Sequence, residues 1–265
     1  MPKPARYGLI LIGIAQLVIA LGYLLQLPFA VDLWPFQGTT PLTFIFIASI
    51  FAAAAVSTLW ATLTGRYGVL AGIGLDYALI LTPIAILSFQ LGANGGNPQM
   101  TAYGIACVFG VLFGVGLMAW TIRIPIDKTP QMPRLVRWSF VVFIIALLMV
   151  SGQMIVKVPN VIPWTITPDL SVVIGWMFFG AAAYFGYALF RPSWNNSAGQ
   201  LAGFLAYDAI LIVPFLNRLP TVSPEHRAGL IIYTVVVIYS GLLAIYYLFI
   251  NRGTRGWLKL PAKRS

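Results

Sequence analysis

Eight stretches of this chain, near residues 7–28, 42–63, 68–91, 99–121, 135–156, 170–190, 199–216 and 227–250, are apolar for long enough to cross a lipid bilayer as helices. A span needs roughly 20 predominantly apolar residues. Inside lipid only a helix or a closed barrel satisfies its own backbone hydrogen bonds, so the pattern predicts an all-α integral membrane protein with eight transmembrane helices. Composition agrees, with 60% hydrophobic and 8% charged residues, where a soluble domain carries about 25% charge. The seventh stretch is the shortest. The first follows Lys3 and Arg6, as a signal peptide would. It runs past the length of a signal core and no small-x-small site follows, so it is read as a retained helix.

Charge distribution sets the expected orientation. With eight spans, one side holds Lys3, Arg6, Arg66, Arg123, Lys128, Arg134, Arg137, Arg191, Arg252, Arg255, Lys259, Lys263 and Arg264; the other holds only Lys157, Arg218 and Arg227. Short basic loops stay in the cytoplasm. Both termini are therefore expected there, in a multi-pass protein of the plasma (inner) membrane. Charge scattered over loop ends is not a nucleic-acid face, although the net charge is +10. The expected partners are the lipid bilayer and other membrane subunits, with no nucleic acid. Trp34 and Trp164 on one side, and Trp60, Trp120, Trp138 and Trp194 on the other, suit an aromatic belt.

Four helices expected to start on the outer side are preceded by a capping residue and proline: Thr40-Pro41, Asn97-Pro98, Thr167-Pro168 and Ser223-Pro224. A side-chain oxygen at the cap accepts an orphan backbone N–H, and proline in the first turn lacks only a donor that would be unpaired anyway. Asp169 and Glu225 then fall in first turns, where the helix dipole favours negative charge.

The chain also repeats. Leu70-Ala71-Gly72 and Pro83 recur 131 residues later as Leu201-Ala202-Gly203 and Pro214. Trp34-Pro35-Phe36 before Thr40-Pro41 resembles Ile162-Pro163-Trp164 before Thr167-Pro168, and Ala52–Ala55 matches Ala181–Ala183. The expected organisation is a four-helix repeat over 1–128, a second over 129–255 and a basic cytoplasmic tail over 256–265. An even number of helices per unit makes the repeats parallel, related by an axis along the membrane normal. Gly68 and Gly72, Gly110 and Gly114, and Gly180 and Gly186 are candidates for close helix contact.

Much chemistry is out of reach. One cysteine, Cys107, forms no internal disulfide or thiolate cluster, and reads as a small packing residue. The single histidine, His226, excludes bis-histidine haem and HExxH zinc sites and reads as a solvated loop residue. No lysine lies mid-span for a retinal Schiff base, and no GxxxxGK[ST] loop occurs. No cofactor, metal site or catalytic residue is expected.

Two carboxylates remain inside predicted spans, Asp76 and Asp208. An ionisable residue at depth is a functional-site candidate by default. At the 131-residue offset Asp76 matches Tyr207 and Tyr77 matches Asp208, and Pro83 or Pro214 follows six or seven residues later. A helix-interrupting proline frees a backbone carbonyl, so carboxylates, phenols and carbonyls could line a cation or proton site. The expected function is transporter-like permeation of a small solute, cation or proton through Asp76, Tyr77, Tyr207 and Asp208. The alternative is a non-catalytic accessory or scaffold subunit of a larger membrane complex, with each Asp bonded across a helix interface or paired with Arg66 or Arg191. The charge layout makes a direct prediction. Topology reporters fused at Ser265 and inserted at Asn94 should report opposite sides of the membrane; the same side at both would refute eight spans.

Overall fold

The computed structural model describes residues 2–36 and 40–255. The basic tail expected over 256–265, with Lys259, Lys263 and Arg264, lies outside the described residues. The described chain forms helices α1 (Lys3–Leu24), a single turn α2 (Pro28–Val31), α3 (Pro41–Leu63), α4 (Leu70–Gly95), α5 (Pro98–Thr121), α6 (Arg134–Ile155), α7 (Pro168–Phe190), α8 (Trp194–Arg218) and α9 (Pro224–Ile245). A 3₁₀ turn, Tyr67–Val69, leads into α4, and one π turn, Tyr246–Ile250, extends α9. All except α2 are long and apolar enough to cross a membrane, eight helices in all among the described residues. This is the helical topology of a multi-pass membrane protein.

Local chemistry accounts for the helix starts. α3, α5, α7 and α9 begin at Pro41, Pro98, Pro168 and Pro224. The Thr40 side chain accepts from the Thr43 N–H, Asn97 from Gln99 and Met100, and Thr167 from Leu170. Ser223 departs from the expected pattern: it caps no backbone N–H and bonds to the Glu225 carboxylate at 3.2 Å. The first span ends earlier than its apolar run, because Gln26 turns with a φ of 52° and Pro28 opens a new turn. The seventh, the shortest in apolar length, is a 25-residue helix. Its first turn, Trp194 to Ser197, is polar but buried, so hydropathy alone misses it.

The helices form two shells. In α3, α4, α7 and α8 half or more of the membrane-length stretch is buried, against a third or less in α1, α5, α6 and α9. Each outer helix has one main inner partner: α1 on α3, α5 on α4, α6 on α7 and α9 on α8. Across the centre, α3 packs on α8 and α4 on α7. The turns around 64–69, 122–133 and 191–193, with 251–255, gather at one end. There Trp194 donates its backbone N–H to the Pro130 carbonyl and its indole N–H to Thr254, while Arg191 donates to Ile122 and the Tyr187 hydroxyl to Gly68. At the other end Gln99 donates to the Asp32 carbonyl and Lys157 pairs with Asp169 at 3.2 Å.

Only part of the expected tryptophan belt faces outward. Trp120 and Trp138 are 43% and 67% exposed, but Trp34, Trp60, Trp164 and Trp194 are 7% or less. These four fill the bundle ends, Trp34 against Phe36 and Tyr103, and Trp164 against Phe46 and Phe215.

α4 and α5 touch backbone to backbone. A Cβ on Gly74 would lie 2.4 Å from the Gly114 carbonyl oxygen, and one on Gly114 would lie 2.8 Å from that of Gly74. Gly186, one of the expected contact glycines, has nothing within 4 Å. Because a carbonyl cannot rotate away as a side chain can, Gly74→Ala and Gly114→Ala should each lower stability by about 1–3 kcal/mol. Gly186→Ala should raise it by about 0.5–1 kcal/mol through helix propensity. Thermal unfolding of the three variants in detergent checks the difference in sign.

Candidate functional site

Asp76 and Asp208 occupy different helix interfaces. Asp76 lies about 15 Å beyond Tyr67, counting the 3₁₀ and α rises, and Asp208 about 20 Å beyond the start of α8. Asp208 lies deeper because 14 residues of α8 precede it, against nine from Tyr67 to Asp76.

Asp76 faces α7. A Cβ on Gly180 would sit 2.6 Å from Asp76 Oδ1 and 2.3 Å from Ile80 Cγ1, so only glycine leaves room for the carboxyl group there. Oδ1 has no hydrogen-bond partner among the described residues. Although Asp76 is set among inner helices, it is partly exposed, and so are Tyr77 and Tyr184. Neighbouring polar groups come from other helices. Gln16 of α1 donates to the Tyr77 hydroxyl at 2.6 Å, and Gln200 of α8 donates to the Tyr184 carbonyl at 2.7 Å. Ser57 of α3 donates to the Gly199 carbonyl at 3.1 Å, against a Gly203 whose Cβ would lie 2.3 Å from its Oγ. Thr58 lies beside Tyr77 and Ser57 beside Tyr184. The unused oxygens Gln16 Oε1, Thr58 Oγ1 and Gln200 Oε1 are buried without partners among the described residues. A buried acceptor left unpaired costs about 1–3 kcal/mol.

Asp208 faces α9 and is sealed, at 4% exposure. Ser240 Oγ lies 2.9 Å from Oδ1 and also 2.8 Å from the Val236 carbonyl. One hydroxyl proton cannot serve both acceptors fully. A donor at the 208 position would complete the set, with Ser240 then donating to Val236. Gly241 lies alongside, its Cβ position 3.6 Å from Oδ2. One residue back, Tyr207 bonds through its hydroxyl to Tyr233 of α9 and packs edge-on against Phe46.

The candidates thus divide into Asp76 with α7, Tyr77 with α1, and Tyr207 and Asp208 with α9. Pro83 and Pro214 both lie inside their helices. Each leaves the carbonyl four residues back without its helical donor. Neither expected arginine pairs with an aspartate in a span. Arg191 donates to the Ile122 carbonyl and the Tyr187 hydroxyl, and the Arg66 guanidinium lies 5.0 Å over the Trp60 ring. Among the described residues the one ion pair is Lys157–Asp169.

His226 corrects an expectation. It is 5% exposed, not solvated, because α9 begins at Pro224 and places it in the first helical turn. Its Nδ1 has no partner among the described residues. No three His, Cys, Asp or Glu side chains come together there as a metal cluster. Cys107 is buried in α5.

Attention to charge alone passes over Gln16, Ser57, Thr58, Tyr184 and Gln200. The available signal is an amide side chain within an apolar run, which must find partners or leave an oxygen stranded. In comparison with known proteins, the chain matches no family model, no curated protein and no solved structure.

Proposed function

We propose that the chain is a transporter-like permeation protein for a proton or small cation, with Asp76 as the binding group. The observation that carries this reading is a carboxyl oxygen buried without a partner deep among the inner helices, on a residue that is itself partly exposed. Around the same four inner helices and α1 lie further oxygens with no partner, on Gln16, Thr58 and Gln200. Carboxylate, amide and hydroxyl oxygens are the donors that hard cations use, and a carboxylate is equally a proton acceptor.

Asp208 plays a different part in this reading. Sealed and bonded to Ser240, it ties α8 to α9. A four-helix repeat, as the sequence suggests, would suit an alternating mechanism. Exchange of the first four spans with the last four turns the α3–α8 contact into α7–α4, α1–α3 into α6–α7 and α4–α5 into α8–α9. A packing scheme closed under that exchange fits two parallel repeats about an axis along the membrane normal. The charge bias supports a cytoplasmic position for both termini, in a multi-pass protein of the plasma membrane on this reading.

A second reading, an accessory subunit, draws on the outer shell. Phe109 and Trp138, at 69% and 67% exposure, present apolar surface that suits lipid or a partner subunit.

The two aspartates separate the readings. In proteoliposomes Asp76→Asn should fold with unchanged thermal stability and lose proton- or cation-driven flux, because the amide keeps shape but cannot ionise. Asp208→Asn should keep both flux and stability, since its amide donates to Ser240. Asp208→Leu should lower stability by about 1 kcal/mol, because it removes the hydrogen bond between α8 and α9 while Ser240 keeps the Val236 carbonyl as its acceptor. Undiminished flux in Asp76→Asn would end the assignment of that residue. Absence of flux from the pure wild-type chain, with a partner always recovered from mild detergent, would favour the accessory role.

A further inference from the structure

At the end of the bundle that gathers the 64–69 and 122–133 turns lies a cavity of about 330 Å³, a size that accepts small organic ligands. Its walls come from the α3–α4 turn, the α5–α6 loop and the first turn of α8, and include Arg66, Tyr67, Asp127, Thr129 and Asn195. The site is built. The Arg66 guanidinium is held over Trp60. Asn195, 6% exposed, donates its amide N–H groups to the Asp127 and Thr129 carbonyls, which fixes which side-chain atom is oxygen. Thr129 N–H donates to Asp127 Oδ1 at 3.0 Å. The α3–α4 turn meets the α5–α6 loop so closely that a Cβ on Gly68 would lie 2.8 Å from the Ile124 carbonyl oxygen.

Two buried side-chain atoms of residues that line the cavity have no hydrogen-bond partner among the described residues. One is a donor, Arg66 Nη1; the other is an acceptor, Asn195 Oδ1. The walls also carry both charges. Burial lowers the Arg66 guanidinium from its ordinary value, and the Asp127 carboxylate pulls it back up. A simple anion would meet Asp127, and a simple cation would meet Arg66. A molecule bearing both an anionic oxygen group and an N–H donor matches Arg66, Asn195 and Asp127 at once.

We propose that this cavity binds an amino-phosphate zwitterion, its phosphate taken by Arg66 and its primary ammonium by Asn195 Oδ1 and the Asp127 carboxylate. Arginine presents a planar fork that suits phosphate oxygens. Asn195 requires a true N–H, so a quaternary amine is disfavoured. The same headgroup chemistry exists in a free phosphoethanolamine and at the surface of an ethanolamine phospholipid. The assignment stands apart from any role of Asp76.

Titration of the full-length protein in a maltoside detergent tests it, with phosphoethanolamine, phosphocholine, inorganic phosphate and ethanolamine as probes. A parallel arm counts lipids retained from nanodiscs of phosphatidylethanolamine or phosphatidylcholine by native mass spectrometry. The expected result is at least tenfold preference for the primary amine over its quaternary analogue in one arm. A response to free phosphoethanolamine assigns a soluble ligand; retention of phosphatidylethanolamine alone assigns a lipid. Arg66→Gln and Arg66→Lys should each weaken binding at least tenfold. Asp127→Asn, at an exposed position that keeps its oxygen for Thr129, should bind but lose most of the amine preference. No amine preference in either arm overturns the proposal, and so does an unchanged preference in Asp127→Asn.

Discussion

Where α4 meets α7 and α3 meets α8, burial from water does little to hold the helices together, since lipid is as apolar as leucine. Close contact has to do that work, and small residues permit it. Gly180 opposes Ile80 and Asp76, Gly72 opposes Tyr184 and Tyr187, and Gly203 opposes Ser57 and the Ala53 carbonyl. These contacts bring aromatic and polar side chains of the inner helices against bare backbone. They also decide where the outer helices stand, because each has its main contact with one inner helix.

The same contacts give two chemically similar residues different surroundings. A carboxyl group inside a bilayer costs up to about 3 kcal/mol on insertion scales. At Asp208 that cost is offset in part by a serine on the adjacent helix, which meets Oδ1, while Oδ2 is buried without a partner among the described residues. At Asp76 the neighbour is a glycine, which offers space and no donor, and the surface stays open in part. A residue whose surroundings do not satisfy it is suited to binding something that does. Orphan oxygens on Gln16, Thr58 and Gln200 extend that character across three further helices.

Polar groups at the end that holds the 64–69 and 122–133 turns follow another rule. Here loops fold over helix ends, and backbone carbonyls that would otherwise be stranded are met by side chains: Gly68 by Tyr187, Ile122 by Arg191, Thr254 by Trp194, and Asp127 and Thr129 by Asn195. Buried carbonyls require such partners. Side-chain atoms left without partners there, Arg66 Nη1, Asn195 Oδ1 and Asn196 Oδ1, stand out against that background, and the first two belong to residues that line the cavity.

The helices themselves were legible in the sequence. Eight apolar runs mark eight helices, and threonine or asparagine before proline marks where three of them start, because helix formation and capping depend on residues a few positions apart. Asp76 and Asp208 stood out for a similar reason, as charges within an apolar run. What each one meets was not legible. Gly180 lies 104 residues from Asp76, and Ser240 lies 32 from Asp208. The burial of His226, the turning inward of Trp34, Trp60, Trp164 and Trp194, and the partners of Gln16 and Gln200 share that origin. Hydropathy along a helix reports that it is surrounded by apolar matter and does not say which face meets protein and which meets lipid. Only close packing of particular surfaces, joined from distant parts of the chain, decides that.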